Sequence, residues 1–553
     1  MNARKLSFYM SAAAAAALLG VSGAAAQTGA GLTGTVTSAL EGAMEGVLVT
    51  AKKEGAKVAV TVVTDEKGRY SFPANRLEPG KYNLRIRATG YFASGRPTAD
   101  VAAGRTATAD IKLNKTDNIA PQLTSAEWML SMPGTDAQKA FLQDCQGCHS
   151  LTRIVTSAHD AKSFADVVPR MGTYSPGSQA HRPQKLLPGP RGNRGIQDPT
   201  IVQRVAEYLS SVNLSKDEVW KYPLQTLPRP SGKGTKVIIT TYDLPRPEAM
   251  PHDVHIVNGK AYYADFGSQY IGEMDIKTGQ VVDHPLPVLK PEQPKGVLEL
   301  KPDRDGNVWV SGMYQGGIYM LDTKTNQVKP YKLPDQWQDA NTQESMVSPE
   351  NSHVDGWVWT NNQQDHSILR VNVKTGQWEN LGVLEDQNGN HIQGYDLPSD
   401  SQNNLWILEF GGLGKKIGKI DAKTKKLTTW TSQHVRPRNR RGHFDQNGVL
   451  WFAQYNANAI ASFDPKTEKL TEITMPYKWQ LPYDAEADKD GKVWNASMGT
   501  DRVVRTDPKT GEHVVYLLPY YSNIRRVHVE PGTNTLWLGN NHGAAIYKIE
   551  PLE

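Results

Sequence analysis

Gly448-Val449-Leu450-Trp451-Phe452-Ala453-Gln454-Tyr455-Asn456-Ala457-Asn458-Ala459-Ile460-Ala461-Ser462-Phe463-Asp464-Pro465-Lys466-Thr467 reads as a strand, a return strand and a polar turn. An apolar run carries a tryptophan, and an Asp-Pro-Lys-Thr turn stands thirteen residues beyond it, the punctuation of a hairpin between short strands. The same unit recurs across the C-terminal part of the chain. Its aromatic anchors are Tyr262, Trp309, Trp359, Trp406, Trp451, Trp494 and Trp537, at steps of 47, 50, 47, 45, 43 and 43 residues. Such periods match one four-stranded propeller blade each. Thirteen residues after each anchor, with a two-residue slip in the fourth, come Asp275, Asp322, Asn372, Asp421, Asp464, Asp507 and Glu550, and the first six open a D/N-x-K-T turn. An outer strand such as Val514-Val515-Tyr516-Leu517-Leu518-Pro519 follows each of these turns, but none follows Glu550. The unassigned strand Val237-Ile238-Ile239-Thr240-Thr241-Tyr242-Asp243-Leu244-Pro245 is therefore expected to complete the last blade and cover both open edges. Residues 236–553 are expected to form a seven-bladed β-propeller.

Cys145-Gln146-Gly147-Cys148-His149 contains the only two cysteines in the 553 residues. Their C-x-x-C-H spacing is that of covalent c-type haem attachment: both thiols add to the porphyrin vinyl groups and the histidine supplies an axial imidazole. A structural zinc site needs four ligands, and no second Cys or His pair follows at close spacing. One covalent haem c is thus expected at Cys145, Cys148 and His149. Asp136 to Gln143 should form the helix that delivers the motif, and Val202, Val205, Ala206 and Leu209 recur at the spacing of a closing amphipathic helix. Together with the loop between them, these parts of residues 126–214 resemble a small all-α class I cytochrome c. That resemblance implies a methionine as sixth ligand. Met171, in Pro169-Arg170-Met171-Gly172, resembles the Arg-Met placement of cytochromes from haem-containing dehydrogenases, with His159 and His181 as alternatives.

The compartment is expected to be the periplasm. Arg4 and Lys5, the apolar run from Met10 to Val21 and the small residues Ala24-Ala25-Ala26 have the form of a signal peptide spanning residues 1–26, cut near Ala26. No later apolar stretch is long enough to span a bilayer. The formal charge of +5 falls to about +3 without the leader, and no basic stripe stands out, which excludes a nucleic-acid role.

Residues 32–113 read as a small all-β module. Tyr82, Leu84, Ile86 and Ala88 alternate with Lys81, Asn83, Arg85 and Arg87, the period of a half-buried strand. Thr64-Asp65-Glu66-Lys67-Gly68-Arg69-Tyr70-Ser71-Phe72 and Leu77-Glu78-Pro79-Gly80-Lys81-Tyr82 resemble the carboxypeptidase regulatory-like family. The resemblance implies a transthyretin-like β-sandwich acting as a spacer or docking module, without peptidase activity. The fold class expected is therefore multidomain and mainly β: sandwich, haem module, propeller.

Propeller ligands are expected near the central channel. Aligning the innermost strands by their apolar residues puts His255, Glu299, Asp396, His443, Glu486 and His528 at one depth. Converging imidazoles and carboxylates can hold a divalent metal or supply general acids and bases; alternatively they hydrogen-bond between blades. A second column, three residues beyond the anchors, holds Asp265, Asn362, Glu409, Gln454, Ser497 and Asn540, with His252 and His542 near the same end. Asn307-Val308-Trp309 and Gly448-Val449-Leu450-Trp451-Phe452 resemble the virginiamycin B lyase (streptogramin lyase) propellers. That family pairs an inner-strand His with a Glu three residues after the Trp and a further His three beyond. Here Glu409 is present, but Tyr395 and Gly412 stand at the two His places; His252 occupies the equivalent place in the first blade, with Asp265 for the Glu. His252, Asp265, Glu409 and His443 are the catalytic candidates. The functional expectation is an electron-transfer cytochrome in an oxidoreductase system, with a periplasmic redox partner and a small-molecule substrate. A lyase-like enzyme and a binding scaffold are the alternatives.

Overall fold

The computed structural model describes residues 29–179, 186–187, 195–214, 222–339 and 343–552. The expected signal peptide and His181 lie outside the described residues. Among these residues no helix is long and apolar enough to cross a membrane.

The N-terminal module is a β-sandwich. Strands Ala30–Ser38, Arg69–Pro73, Tyr91–Ala93 and Ile111–Lys115 belong to one layer, and Leu48–Lys53, Val58–Val63, Gly80–Arg87 and Thr98–Val101 to the other. The alternation around Tyr82 holds: Tyr82 and Leu84 are buried and Lys81 and Asn83 exposed. They close on Leu32, Val36, Val49 and Phe72.

Six four-stranded sheets follow one another in strand order from Pro251 to Leu517, each an antiparallel meander. The seventh is made of His528–Val529, Leu536–Asn540 and Ala545–Pro551, and its fourth strand is Val237–Asp243. The register runs from Val237 opposite Pro551 to Asp243 opposite Ala545, the pairing expected from the sequence. The anchors hold each blade to its own turn. The indole N–H of Trp309, Trp406, Trp451 and Trp494 donates to Asp303, Asp400, Asp445 and Asp488, six residues earlier in each case. The D/N-x-K-T segments are Asx turns: Asp275, Asp322, Asn372 and Asp421 each accept from the backbone N–H groups two and three residues on.

One junction was not foreseen. The other edge of Val237–Asp243 pairs antiparallel with Val58–Val63 of the sandwich, Ile239 opposite Thr61 and Tyr242 opposite Val58. A single eight-stranded sheet thus runs from the sandwich into the last blade. Arg87 adds an ion pair with Asp501 at 2.6 Å and hydrogen bonds to the Leu518 and Tyr520 carbonyls. The module expected as a spacer is sewn into the ring.

Between them in sequence lies a small helical unit, whose helices include Ser125–Ser131, Leu142–Cys145, Leu151–Val155, Ala161–Met171 and Pro199–Val212. The closing helix buries Val202, Val205, Ala206 and Leu209, as its spacing predicts. The expected single helix over Asp136 to Gln143 is two short ones, Asp136–Lys139 and Leu142–Cys145. Ala140 and Phe141 keep right-handed dihedrals, but Gln143 and Asp144 bond three residues back, to Ala140 and Phe141, so the chain tightens just before the motif. Trp479 of the propeller packs in the core of this unit beside Trp128 and Leu151.

Candidate functional site

Cys145 ends its short helix, and both cysteines are free thiols. Burial, reinforced by Asp144, pushes the Cys145 thiol up to about 12. At neutral pH it is not the thiolate that a disulfide-exchange site requires. The His149 ring places Nδ1 3.0 Å from the Ser150 carbonyl. A carbonyl only accepts, so Nδ1 carries the proton and the Nε2 lone pair is free for a metal. Burial also lowers the His149 pKa, which keeps the ring neutral. Two unbridged thiols and an imidazole with a free Nε2 fit covalent haem. Met171 ends the helix Ala161–Met171 and is 41% exposed, while His159 stands edge-on to Phe164 at 5.3 Å.

The C-x-x-C-H segment is seated on the propeller face. Arg525 Nη2 donates to the Gly147 carbonyl at 2.6 Å, and His542 Nε2 to the same oxygen at 3.3 Å. Asn523 donates to the Gln146 carbonyl at 3.1 Å and the Tyr455 hydroxyl to the Gln143 carbonyl at 3.0 Å. Gly499 gives the segment room: a Cβ there would stand 3.3 Å from Gln146 Oε1 and 2.5 Å from a carbonyl.

Next to it the structure gathers the candidate His252 and Tyr395 with three residues that the sequence did not single out, Arg440, Tyr483 and Arg525. Arg525 lies over the Phe266 ring at 4.7 Å, and Phe266 stacks on His252 at 5.0 Å. His252 Nδ1 bonds to Asp253 Oδ1, which leaves Nε2 as an acceptor for the Tyr483 hydroxyl at 3.4 Å. Tyr483 in turn stands 2.9 Å from the Tyr395 hydroxyl. Arg440 sits over the Tyr483 ring at 3.8 Å and over Tyr455 and Phe410 at 4.4 Å. Burial opposes ionisation of Tyr483, but Arg440, Arg441 and Arg525 overcome it and bring the phenol down to about 7. Burial and the surrounding arginines drive His252 far below its usual range, so it is neutral. Tyr395, Tyr483, His252 and Asp253 form a hydrogen-bonded line able to move a proton.

Two deeper tiers carry the residues expected at one depth, and the structure separates them. His255, Lys301, Ser348, His443, Glu486 and His528 lie opposite their blade anchors. Glu299 and Asp396 belong two residues up the strand, with Asp253, Asp484, Arg441 and Arg526: Asp396 pairs with Leu408 and Asp484 with Ala496, both two beyond the anchor. This correction reverses the chemistry. In the upper tier Arg526 stands 3.2 Å from Asp484, 3.3 Å from Glu299 and 3.6 Å from Asp253, and Arg441 3.2 Å from Asp396. One oxygen of each carboxylate accepts from the next blade's backbone: Asp253 from Leu300, Glu299 from Val347, Asp396 from Gly442 and Asp484 from Val527. Their visible work is bonding blade to blade. In the lower tier the His255 and His528 rings are 4.2 Å apart. Burial, helped by His443 and Arg526, lowers His528 to about 3. His443 bonds to Asp484 at 3.2 Å. Among the described residues no group of three or more His, Cys, Asp or Glu is placed to hold a metal ion.

The other catalytic candidates brace their own blades. Asp265 accepts from Arg246 at 2.5 Å and from the Gly267 N–H at 3.0 Å. Glu409 Oε2 accepts from the Lys415 and Lys416 N–H groups, both at 3.0 Å. Arg440, Tyr483 and Arg525 did leave a signal: His252-Asp253, Tyr395-Asp396, Arg440-Arg441 and Tyr483-Asp484 are polar doublets within four inner strands, and Arg525-Arg526 is a fifth just before the strand His528–Val529.

The carboxypeptidase regulatory-like domain family matches residues 31–114. No curated protein matches the chain. Among solved structures, a streptogramin B lyase is 18% identical with a TM-score of 0.50, covering 58% of this chain and 99% of its own. A virginiamycin B lyase from Staphylococcus aureus is 17% identical with a TM-score of 0.49, covering 57% and 99%. These likenesses are of fold: the chain joins a carboxypeptidase regulatory-like β-sandwich to a propeller of the virginiamycin B lyase type.

Proposed function

We propose that this chain is an exported c-type cytochrome of the periplasm. Cys145 and Cys148 would attach haem c, His149 and Met171 would ligate its iron, and the chain would act in electron transfer within an oxidoreductase system. The observation that carries the reading is the seat of the C-x-x-C-H segment: Arg525 and His542 hold the Gly147 carbonyl, and Arg525 connects through the Phe266 ring to His252 and its bond to Tyr483. A haem attached there supplies single-electron exchange. The chain's own part is to hold the attachment segment on the channel mouth and to move a proton through Tyr483 and His252. A periplasmic redox protein is the expected partner. The test is expression with haem-maturation machinery: one covalent haem per chain by pyridine haemochrome, absent in Cys148→Ala, is the expected result. A mature chain with no covalent haem ends the proposal. Metal analysis of the same sample decides whether the propeller also holds a divalent ion.

The second reading is a lyase-like enzyme, favoured by the neutral His252 held by Asp253 beside the Tyr483 hydroxyl, which is acid–base equipment. It requires turnover that is independent of the haem redox state and lost in Tyr483→Phe. Because Glu409 braces its own loop, Glu409→Gln is expected to change stability rather than turnover.

A further inference from the structure

Buried guanidiniums ordinarily face carboxylates, because an ion taken out of water without a partner is strongly destabilised. Arg441 and Arg526 follow that rule. Arg440 and Arg525 do not. Among the described residues neither has a carboxylate within ion-pair distance. Arg525 is spent on the Gly147 carbonyl and the Asn523 side chain. Arg440 is walled by the rings of Tyr483, Tyr455 and Phe410, and its buried Nε has no hydrogen-bond partner. Burial and the neighbouring Arg440 both pull Arg525 below its ordinary value, the mark of two cations crowded together. Arg440 and Tyr395 are only half-buried, so the pair can be reached from outside.

We propose that Arg440 and Arg525, with the Tyr483 hydroxyl between aromatic walls, form a binding site for the carboxylate of a small aromatic or apolar acid at the channel mouth. The inference deepens the reading above by naming the substrate class, and rests on it for that role; the binding itself does not require haem. A planar carboxylate matches the guanidinium fork, and the rings of Phe410, Tyr455 and Phe266 suit an apolar body. Arg440 and Arg525 draw the phenol of Tyr483 towards ionisation. A bound anion offsets those charges, and Tyr483 then picks up a proton. Facing this phenol are Arg440 and Arg441 from one strand, Arg525 from the last blade, His252 backed by Asp253, Tyr395, and Tyr455. Among them Tyr483 is brought down to about 7 and burial raises Asp253 to about 6, and only the phenol's ionisation changes tyrosine absorbance. The same chemistry could come from a diffusible acid or from a propionate of attached haem, so the experiment has two arms.

In the first, benzoate is titrated into the full-length chain made without haem maturation, by calorimetry and by tyrosinate absorbance at 295 nm. Saturable binding with a fall in that absorbance is expected at pH 8, weakening up to tenfold per pH unit above 7. Benzyl alcohol should not bind, and Arg440→Gln and Arg525→Gln should each weaken benzoate at least tenfold. Benzoate binding no better than benzyl alcohol, or unchanged in Arg440→Gln, overturns the proposal; the wild-type absorbance arm decides even if a variant fails to fold. In the second arm the titration is repeated on haem-loaded protein. Retained binding assigns the site to a diffusible acid, and competition by haem assigns it to a propionate. Failure of haem loading leaves the first arm intact, so the two readings fall separately.

Discussion

Asp484 and Glu486 stand two residues apart on one strand, and their surroundings drive them in opposite directions. Burial opposes ionisation of both. At Asp484 the charges of Arg526 and His443 overcome it, and the carboxyl is held below its usual range. At Glu486 burial wins, despite His443 and the Val529 N–H, and the pKa rises from 4.5 to about 7. A raised acid favours the folded state most fully below the unfolded pKa and loses that contribution as pH climbs to the folded one. Glu486 therefore costs stability increasingly as pH rises from 4.5 to 7, and in full above 7, by at most about 3 kcal/mol. Denaturant unfolding at pH 5 and pH 8 should show Glu486→Gln gaining on the wild type by up to that amount at pH 8, with little difference at pH 5. Equal stability of the two proteins at pH 8 refutes the assignment. At Tyr483 the sign is the other way. An ultraviolet titration of the haem-free chain should show one phenol ionising near pH 7, absent in Tyr483→Phe.

The repeated elements rest on two devices of unequal weight. Asp464 accepts from the Lys466 N–H and the Thr467 hydroxyl in an exposed turn, so Asp464→Ala is expected to cost about 1 kcal/mol. Asp488 is buried and accepts from the Trp494 indole, from Arg505 and from two backbone N–H groups. Asp488→Ala leaves those donors orphaned and should cost about 3 kcal/mol by the same unfolding measurement. The turns and the aromatic anchors were legible because each recurs at a fixed offset; the carboxylate six residues before the indole is a pairing that the structure adds. The inner strands were not legible to the same precision. Each of the first six carries a register shift, as between Pro251 and Val254 or Pro482 and Asp484. A bulge adds one residue without changing composition, so apolar alternation on either side does not reveal the offset. The offset that sets Glu299 and Asp396 apart from His255, and that aligns the doublets containing Arg440 and Tyr483, is therefore invisible to alternation alone. Cys145, Cys148 and His149 needed no register, because their spacing is local.

At the scale of the molecule, Val237–Asp243 is an interior strand with the last blade on one side and the sandwich on the other. Hydrogen exchange should find its amides among the slowest in the chain, opening together with those of 58–63 and 545–551. Exchange of 237–243 as fast as an outer strand such as Lys469–Thr474 would show the sheet to be discontinuous. The same arrangement sets an order of events during biogenesis. The strand that locks the ring leaves the ribosome some three hundred residues before the strand it locks, Ala545–Pro551. Until that partner arrives, the sandwich can fold and offer Val58–Val63, so the early strand waits with one neighbour rather than none. Closure is then the last step and spans nearly the whole propeller in contour length, a slow search by topology. A chain stalled before residue 545 presents an unpaired edge to every other stalled copy, which makes the interval before closure the time when a chaperone matters most.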